Sequence, residues 1–392
     1  MIRLERRPTP SKAWSAAAPL VAVALTLIAG GAMFAALGKD PVAAIRAIFW
    51  EPVFGDFWWF YLPEILKKAA PLVLIATGLA LGFRAGIWNI GAEGQYIVGA
   101  IVGAAAGLAF YPSESVLIFP LMIAFGALGG FLWAMIPALL KVRFGTNEIL
   151  VSLMLVYVAE NLLASAAVSW LRNPEAVGFP GSRDLSRWAA SANGEVIAGT
   201  GAHWGVLAAV AAVVAAHVLL TRHLLGFQIR LTGAAPRAAR FAGVAPARLV
   251  VVCLGLSGAL AGLAGLFEVT GPSKQISIDF GQGYGFVAII VAFLGRLQPL
   301  GILAAGLLLA LTYVGGDNAA TNLGLPVAAI SAFQGMLLFF LLAVDVLTNF
   351  RPRRRPRRKA PAAAVAAPPK AASDHGFGGA AGVAGGDGGG GT

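Results

Sequence analysis

The chain has 392 residues, of which 58% are hydrophobic and only 12% are charged. That is more apolar material than a soluble core of this size usually buries, so the composition favours a lipid bilayer over water as the solvent. The net charge of +11 could indicate nucleic-acid binding, but most of the excess lies beside apolar segments or in residues 351–359, which indicates membrane topology and lipid contact, with no nucleic-acid partner.

The hydropathy pattern predicts an all-α polytopic membrane protein with about ten transmembrane helices. Windows such as 19–37, 116–140 and 149–170 are mostly apolar over about 20 residues, enough for a helix to cross about 30 Å of hydrocarbon. The second and eighth spans are short and lie in Gly-rich surroundings, which predicts broken or tilted elements there. The predicted spans are 15–37, 65–83, 87–109, 116–140, 147–170, 203–221, 249–269, 281–295, 299–316 and 327–348.

The two ends of the chain are predicted to be cytoplasmic. Residues 1–14 form a basic N-terminus, and the span that follows is longer than a signal-peptide core and has no clear cleavage site, so we expect it to be retained. With ten spans, most Lys and Arg residues fall on the inner side, as the positive-inside rule requires. The membrane domain is then 15–350, and 351–392 is a basic, then Ala/Pro/Gly-rich tail that is predicted to be disordered.

The first unusual segment is 81–96, which carries four glycines and, at positions 89, 93 and 95, three polar residues at the start of an apolar run. The glycines allow close backbone approach or an unwound turn, and Asn89, Glu93 and Gln95 place polar groups near membrane depth. Such groups are costly in lipid unless they contact protein or a water-filled path. Two interpretations stay open: a capped cytoplasmic turn, or part of the translocation path.

The second segment, 145–157, opens the fifth predicted span. Asn147 suits a helix N-cap and Glu148 suits the positive end of the helix dipole. Glu160 lies about twelve residues into the span, where a carboxylate must pair, become protonated or contact water, and Asn161 follows it. These two residues are candidates for the translocation path, with pairing inside the bundle as the alternative.

The third segment is the inner loop 226–244. Pro236 can start a short helix, Arg237 and Arg240 then lie on one face, and Gly243 can end the helix. This pattern predicts a short amphipathic helix on the cytoplasmic surface that docks a partner, although a structural connector is the simpler alternative.

These segments resemble the permeases of bacterial ABC importers for simple sugars, nucleosides and branched-chain amino acids. The sequence Phe-Arg-Ala-Gly-Ile-Trp-Asn-Ile-Gly-Ala-Glu-Gly-Gln at 83–95 is similar to the nucleoside-type branch, and the stretches at 283–288 and 294–301 agree with it. The resemblance covers about residues 15–350. It implies a multi-pass protein of the bacterial inner membrane that translocates a nucleoside, with simple sugars and branched-chain amino acids as alternatives.

The resemblance also implies a set of partners. A cytoplasmic ABC ATPase uses ATP and Mg, while this chain binds no cofactor; a second homologous permease and an extracytoplasmic substrate-binding protein complete the importer. The outer loops 38–64 and 171–202 are candidate docking surfaces for that binding protein. The loop that contacts the ATPase is expected to use the residues of the third segment, namely Arg230, Gly233, Arg237, Ala238, Ala239, Arg240 and Gly243.

Other classes of protein fit the sequence less well. An ATPase needs the pattern GxxxxGK[ST], whereas Gly38-Lys39 is followed by Asp40. One cysteine, Cys253, and four scattered histidines give no ligand spacing for a metal, and no cluster of side chains predicts an enzyme. An ion-coupled secondary transporter is the remaining alternative, with protons or sodium carried by Glu93, Glu160, Glu268 or Asp345.

Overall fold

The computed structural model describes residues 2–6, 12–175, 178, 180–197, 200, 202–281 and 283–354. This part of the chain forms fourteen α-helices. They are α1 (Lys12–Ala36), α2 (Pro41–Ile45), α3 (Glu51–Phe54), α4 (Trp58–Arg84), α5 (Ala92–Leu108), α6 (Ile118–Phe144), α7 (Glu148–Val168), α8 (Trp204–Arg222), α9 (Leu224–Ala234), α10 (Pro236–Phe241), α11 (Pro246–Thr270), α12 (Tyr284–Leu294), α13 (Pro299–Leu323) and α14 (Val327–Asn349). A π-helical turn, Arg46–Trp50, joins α2 to α3, and a 3-10 turn, Ile278–Phe280, precedes α12.

Four short strands accompany the helices in the described part of the chain. Strands β1 (Ile2–Arg6) and β4 (Phe350–Arg354) form one two-stranded sheet, and β2 (Glu195–Ile197) and β3 (Ala202–His203) form another, antiparallel one. Residues 6–351 make one compact unit that contains all the helices. From residue 355 onwards, the predicted disordered tail lies outside the described residues.

The helices confirm an all-α, multi-pass membrane protein. Among the described residues, six helices are long and apolar enough to cross a membrane: α4, α6, α7, α8, α11 and α13. Each of the ten predicted spans also overlaps one helix, the remaining four being α1, α5, α12 and α14. Hydropathy therefore located the helices well, and the number of crossings stays a prediction.

The prediction of a short and broken or tilted second span is wrong, because the helix at this position is long and continuous. Helix α4 runs without interruption for 27 residues from Trp58 to Arg84, although Pro63 and Pro71 lie inside it. Charged residues in its second and third turns lowered the hydropathy near its start. Two of them, Glu64 and Lys67, neutralise each other in an ion pair of 2.9 Å.

The break in the helical pattern belongs instead to the third and eighth spans. Helix α5 begins only at Ala92, after a turn in which Gly86 has a φ of +76°. Helix α12 has 11 residues, about 17 Å at the usual rise of 1.5 Å per residue. Glycine content predicted both the unwound turn and the short eighth span. The turn, however, lies between α4 and α5 and shortens the third span, while α4 stays intact.

The centre of the bundle is formed by α5, α6 and α11, which approach one another through small residues. A Cβ atom at Gly99 would overlap the backbone of Gly262, and one at Gly130 would overlap the carbonyl oxygen of Gly258. Membrane helices pack closely through such residues, since lipid supplies no hydrophobic driving force between helices. This packing leaves most of α5 buried and fixes the position of the polar residues at its start.

Candidate functional site

A buried polar cluster occupies the break before α5. Asn89 Nδ2 donates to Gln95 Oε1 at 2.8 Å and to Ser257 Oγ on α11 at 3.0 Å. Asn89 Oδ1 accepts from Gln95 Nε2 and from the Gly91 N–H, both at 3.1 Å. Asn89 and Gln95 are 2% and 1% exposed, so these bonds satisfy groups that would otherwise be costly to bury. The cluster thereby stabilises a non-helical turn inside the bundle.

Glu93 joins the starts of two helices. It lies in the first turn of α5, and its carboxylate accepts from the backbone N–H of Gly283 at 3.0 Å and of Gly285 at 2.5 Å, at the start of α12. Helix N-termini carry unsatisfied N–H groups and a partial positive charge, and a carboxylate stabilises both. The carboxylate that was predicted to line a path is therefore also the cap of α12.

The depth of this cluster follows from α11, which begins at Pro246. Ser257 lies about 17 Å along that helix at 1.5 Å per residue, roughly half of the hydrocarbon thickness. Asn89 and Gln95 therefore lie near the middle of the bundle, and at Glu93, two residues before Gln95, the N-termini of α5 and α12 converge. Solute sites of many transporters are built from such discontinuous helices at mid-depth.

Glu160 and Asn161 lie on an exposed face of α7, with Glu160 within electrostatic range of Glu93. Both are exposed, as is Tyr157, whose carbonyl oxygen accepts from Asn161 Nδ2 at 2.7 Å. The structure thus buries three of the five path candidates, Asn89, Glu93 and Gln95, and leaves the other two exposed. A carboxylate on a surface of a membrane helix is costly in lipid. A carboxylate at this position must contact water or a polar partner, or become protonated.

The start of α7 agrees with the sequence pattern. Asn147 Oδ1 accepts from the Ile149 N–H at 3.0 Å and caps the helix, as predicted. Glu148 in the first turn pairs with Lys141 at the end of α6. Both residues thus have a structural role in the sharp turn between α6 and α7, where Gly145 has a φ of +68°.

The third sequence segment, termed the coupling loop (226–244), folds mainly as α9 and α10. As predicted, Pro236 starts α10 and Gly243, with a φ of +79°, follows its end. Ile229 and Ala239 are buried in an apolar cluster with residues of α4, α6, α8 and α11. The coupling loop is therefore anchored on the bundle rather than tethered loosely to it.

The other side of the coupling loop is exposed and basic. Arg230, Arg237, Ala238, Arg240 and Gly243 are all exposed, and Phe241 at the end of α10 is 94% exposed. An apolar ring surrounded by guanidinium groups is typical of a protein-docking surface. The end of the bundle that carries this surface is termed the loop end, and the opposite one the far end.

Arg84 connects the coupling loop to the bundle at the loop end. A Cβ atom at Gly233 would overlap the Arg84 carbonyl oxygen, so α9 lies directly against the end of α4. Arg84 Nε donates to the Leu297 carbonyl oxygen at 2.8 Å, in the turn between α12 and α13. In this turn Arg296 and Leu297 have φ angles of 55° and 56°, a conformation that costs about 1–2 kcal/mol per residue without glycine.

Sequence reasoning missed Arg84 and Phe241 as functional candidates. Arg84 was counted only as one of many inner basic residues, since no local pattern shows that its side chain reaches Leu297, 213 positions away. Phe241 could have been found, because an aromatic residue that ends a helix with two arginines is unusual on a solvated surface.

Comparison with known proteins places the chain in a family. A model of the branched-chain amino acid transport system / permease component matches residues 61–342. The glucose ABC transporter permease protein of Haloferax volcanii is 34% identical over 358 residues, which cover 88% of this chain and 92% of that protein. No solved structure is significantly similar.

Two further relatives come from bacteria. The guanosine ABC transporter permease protein of Bacillus subtilis is 29% identical, over 82% of this chain and 92% of that protein. A nucleoside ABC transporter permease protein of Lactococcus lactis is 27% identical, over 86% of this chain and 93% of that protein. The family match covers the cluster at Asn89, the coupling loop and the Arg84 contact. This chain therefore belongs to the permease component family of branched-chain amino acid transport systems.

Proposed function

We propose that this chain is the membrane-spanning subunit of an ABC importer that translocates a nucleoside or a similar small polar solute. The coupling loop carries the proposal, because it presents Arg237, Arg240 and Phe241 to solvent while Ile229 and Ala239 hold it against the bundle. A carrier driven by an ion gradient does not need such a surface. The similarity to a glucose permease favours a hexose as the second candidate solute.

ATP hydrolysis is assigned to a separate cytoplasmic ATPase subunit, which binds ATP and Mg. The sequence has no phosphate-binding loop of the form GxxxxGK[ST], and we expect this chain to bind no cofactor. The basic rim of the coupling loop would make charge-assisted hydrogen bonds with acidic groups of the ATPase. Movement of the ATPase would then reach α4 through Gly233 and Arg84, and the turn between α12 and α13 through Leu297.

A second, related permease is proposed to cover the exposed face of α7. Glu160 and Asn161 would then lie at the boundary between two subunits, where water and polar partners replace lipid, and could line the path together with the mid-depth cluster at Asn89, Glu93 and Gln95. A substrate-binding protein is proposed to dock at the far end, on the outer loops 38–64 and 171–202.

The proposed topology has ten crossings in the cytoplasmic membrane, with both termini inside. Its support is the overlap of each predicted span with a helix, together with the excess of Lys and Arg on the inner side of that arrangement.

Uptake of radiolabelled solutes tests the proposal. Cells with and without this chain and its ATPase would be given guanosine, adenosine and glucose, with leucine as a competitor. We expect uptake of a nucleoside or of glucose to be lost when either subunit is deleted. Uptake that survives loss of the ATPase but collapses with the ion gradient would contradict the proposal and favour a secondary transporter.

A further inference from the structure

An aromatic surface lies at the far end of the bundle, between α1 and α4. Residues 41–60, termed the aromatic segment, comprise α2, the π-helical turn, α3 and the start of α4. From residue 50 onwards, this segment carries six aromatic side chains that are all more than half exposed, a composition that marks an interaction surface. They are Trp50, Phe54, Phe57, Trp58, Trp59 and Phe60, with exposed fractions of 51–65%.

The opposite side of the aromatic segment is packed against α13. A Cβ atom at Gly315 would overlap the Ile48 carbonyl oxygen, so the two backbones are in direct contact. Asn318 Nδ2 donates to the Ala47 carbonyl oxygen and to Glu51 Oε2, both at 3.0 Å. Because Ile48 and Asn318 are buried, these contacts give the segment one fixed, buried side and one exposed aromatic side.

The packing on α13 sets the depth of the aromatic segment in the membrane. Helix α13 begins at Pro299, directly after the turn that Arg84 contacts at the loop end. At 1.5 Å per residue, Gly315 and Asn318 lie about 24 Å and about 29 Å along this helix. Since the hydrocarbon core is about 30 Å thick, a helix that enters it at the loop end reaches the opposite boundary near Asn318. The aromatic segment therefore lies at the boundary between hydrocarbon and headgroups.

The length of α4 gives the same depth for the aromatic residues at its start. This helix runs for 27 residues, about 40 Å, from Trp58 to Arg84 at the loop end. A bilayer measures about 40–45 Å when its headgroups are included, so Trp58 lies at the level of the headgroups on the far side. Tryptophan is enriched at this level in membrane proteins, since its ring is apolar and its N–H is polar.

We propose that the exposed side of the aromatic segment binds the bilayer interface at the far end, where its rings contact phospholipid headgroups and the upper part of the acyl chains. A soluble binding protein does not reach the hydrocarbon boundary, whereas lipid surrounds the bundle there. The contact holds whichever solute the chain transports. On the function proposed above, the loop 171–202 is then left as the outer docking surface for the binding protein.

Spin labels test this contact by measuring depth in the membrane. In a Cys253→Ser background, the single-cysteine variants Phe54→Cys and Phe57→Cys of the full-length chain would be spin-labelled and placed in nanodiscs of phosphatidylcholine and phosphatidylglycerol. Power saturation then compares collisions of each label with oxygen, which concentrates in lipid, and with a nickel chelate, which stays in water. Trp59→Cys is a third position, for use if one of the two variants does not fold.

We expect the Phe54→Cys and Phe57→Cys labels to lie about 5–10 Å into the boundary between headgroups and acyl chains, with more oxygen than nickel collisions. Leu132→Cys is the lipid control: Leu132 lies in the middle of α6 and is exposed, so its label should lie near the bilayer centre. Val196→Cys is the matched water control, because Val196 is an exposed apolar residue of β2 at the same end of the bundle. Its label should collide mainly with the nickel chelate.

Two results would overturn the proposal. If the labels at positions 54 and 57 collide mainly with the nickel chelate, as at position 196, the aromatic side is in water and is available to the binding protein. If they are protected from oxygen and from nickel alike, a protein surface such as a second copy of this chain covers it. Neither result bears on the proposed function, since the uptake measurement tests it separately.

Discussion

At the scale of single residues, Asn89 determines the geometry of the mid-depth cluster. Its amide group contacts the turn before α5 through Gly91, the first turns of α5 through Gln95 and the middle of α11 through Ser257. A hydrogen bond of this kind contributes about 0.5–1.5 kcal/mol, and leaving its partner buried and unpaired costs more. The side chain of Asn89 therefore stabilises the non-helical turn before α5, which its glycines alone would leave flexible.

We expect Asn89→Ala to lower the free energy of unfolding by about 1–3 kcal/mol, because Gln95 and Ser257 lose their partner without gaining water. The measurement is denaturation of the purified chain in mixed micelles. Asn161→Ala is the matched control: Asn161 is exposed and bonds only within α7, so its effect should stay within about 0.5 kcal/mol. An equal decrease in the free energy of unfolding in the two variants would show that the cluster at Asn89 does not stabilise the fold.

Local contacts at the residue scale could be predicted from the sequence, and distant ones could not. The cap of α7 by Asn147 was predicted, because the residue type and its position before an apolar run define a cap. The bond between Glu93 and Gly283 joins residues 190 positions apart, and no periodicity in one segment reveals it. Hydropathy showed only that Glu93 needed a partner.

At the scale of elements, the coupling loop has one face buried in the bundle and the other exposed. Ala239 is buried between two exposed arginines, Arg237 and Arg240, as a short amphipathic helix requires. Because the coupling loop is packed in a fixed orientation, it can transmit a movement of the ATPase to the bundle. A flexible connector would absorb the same movement.

Replacing both arginines of α10 with glutamate should uncouple the importer. We expect Arg237→Glu with Arg240→Glu to weaken ATPase docking by about 2 kcal/mol or more, since attraction becomes repulsion at desolvated groups. The measurement is co-purification of the ATPase together with solute uptake. The double lysine variant, which keeps the charge, is the control and should retain most docking; normal uptake in the glutamate variant would refute the docking surface.

Gly233 tests the step from the coupling loop to the bundle. In Gly233→Ala the new Cβ would overlap the Arg84 carbonyl oxygen, so α9 must move away from α4. We expect the number of solute molecules imported per ATP to fall at least about fivefold, the lower end of typical coupling effects.

The control for this substitution is Gly335→Ala in α14, where a Cβ meets nothing within 4 Å. It should leave import per ATP unchanged. A Gly233→Ala variant with full coupling would show that movement enters the bundle by another contact.

The ends of the short helix α10 were predicted from the sequence more accurately than the length of the long helix α4. Proline and glycine marked the ends of α10 at Pro236 and near Gly243, because each has a specific backbone preference. The 27-residue length of α4 was missed, because the hydropathy of a window ignores the ion pair that neutralises Glu64 and Lys67. The short length of α12 was predicted from the short apolar segment, but the capping of its start by Glu93 was not.

At the scale of the whole molecule, two of the helices that overlap predicted spans are too short to cross a membrane alone. Helix α5 has 17 residues, about 26 Å, and α12 has 11 residues, about 17 Å, against a hydrocarbon core of about 30 Å. Non-helical backbone is tolerated at membrane depth where protein surrounds it. The turn before α5 meets this condition through Asn89, and the start of α12 meets it through Glu93, so both segments can complete a crossing.

Cysteine labelling tests whether α5 and α12 cross the membrane. In a Cys253→Ser background, single cysteines at Gly86 and Ser113, one before and one after α5, and at Lys274 and Gln298, one before and one after α12, would be treated with a membrane-impermeant maleimide before and after permeabilisation. If both helices cross, Ser113→Cys and Lys274→Cys react in intact cells, whereas Gly86→Cys and Gln298→Cys react only after permeabilisation. If α5 does not cross, Gly86→Cys and Ser113→Cys lie on the same side and react under the same condition. That result would contradict the topology, and the mid-depth position of Glu93 with it.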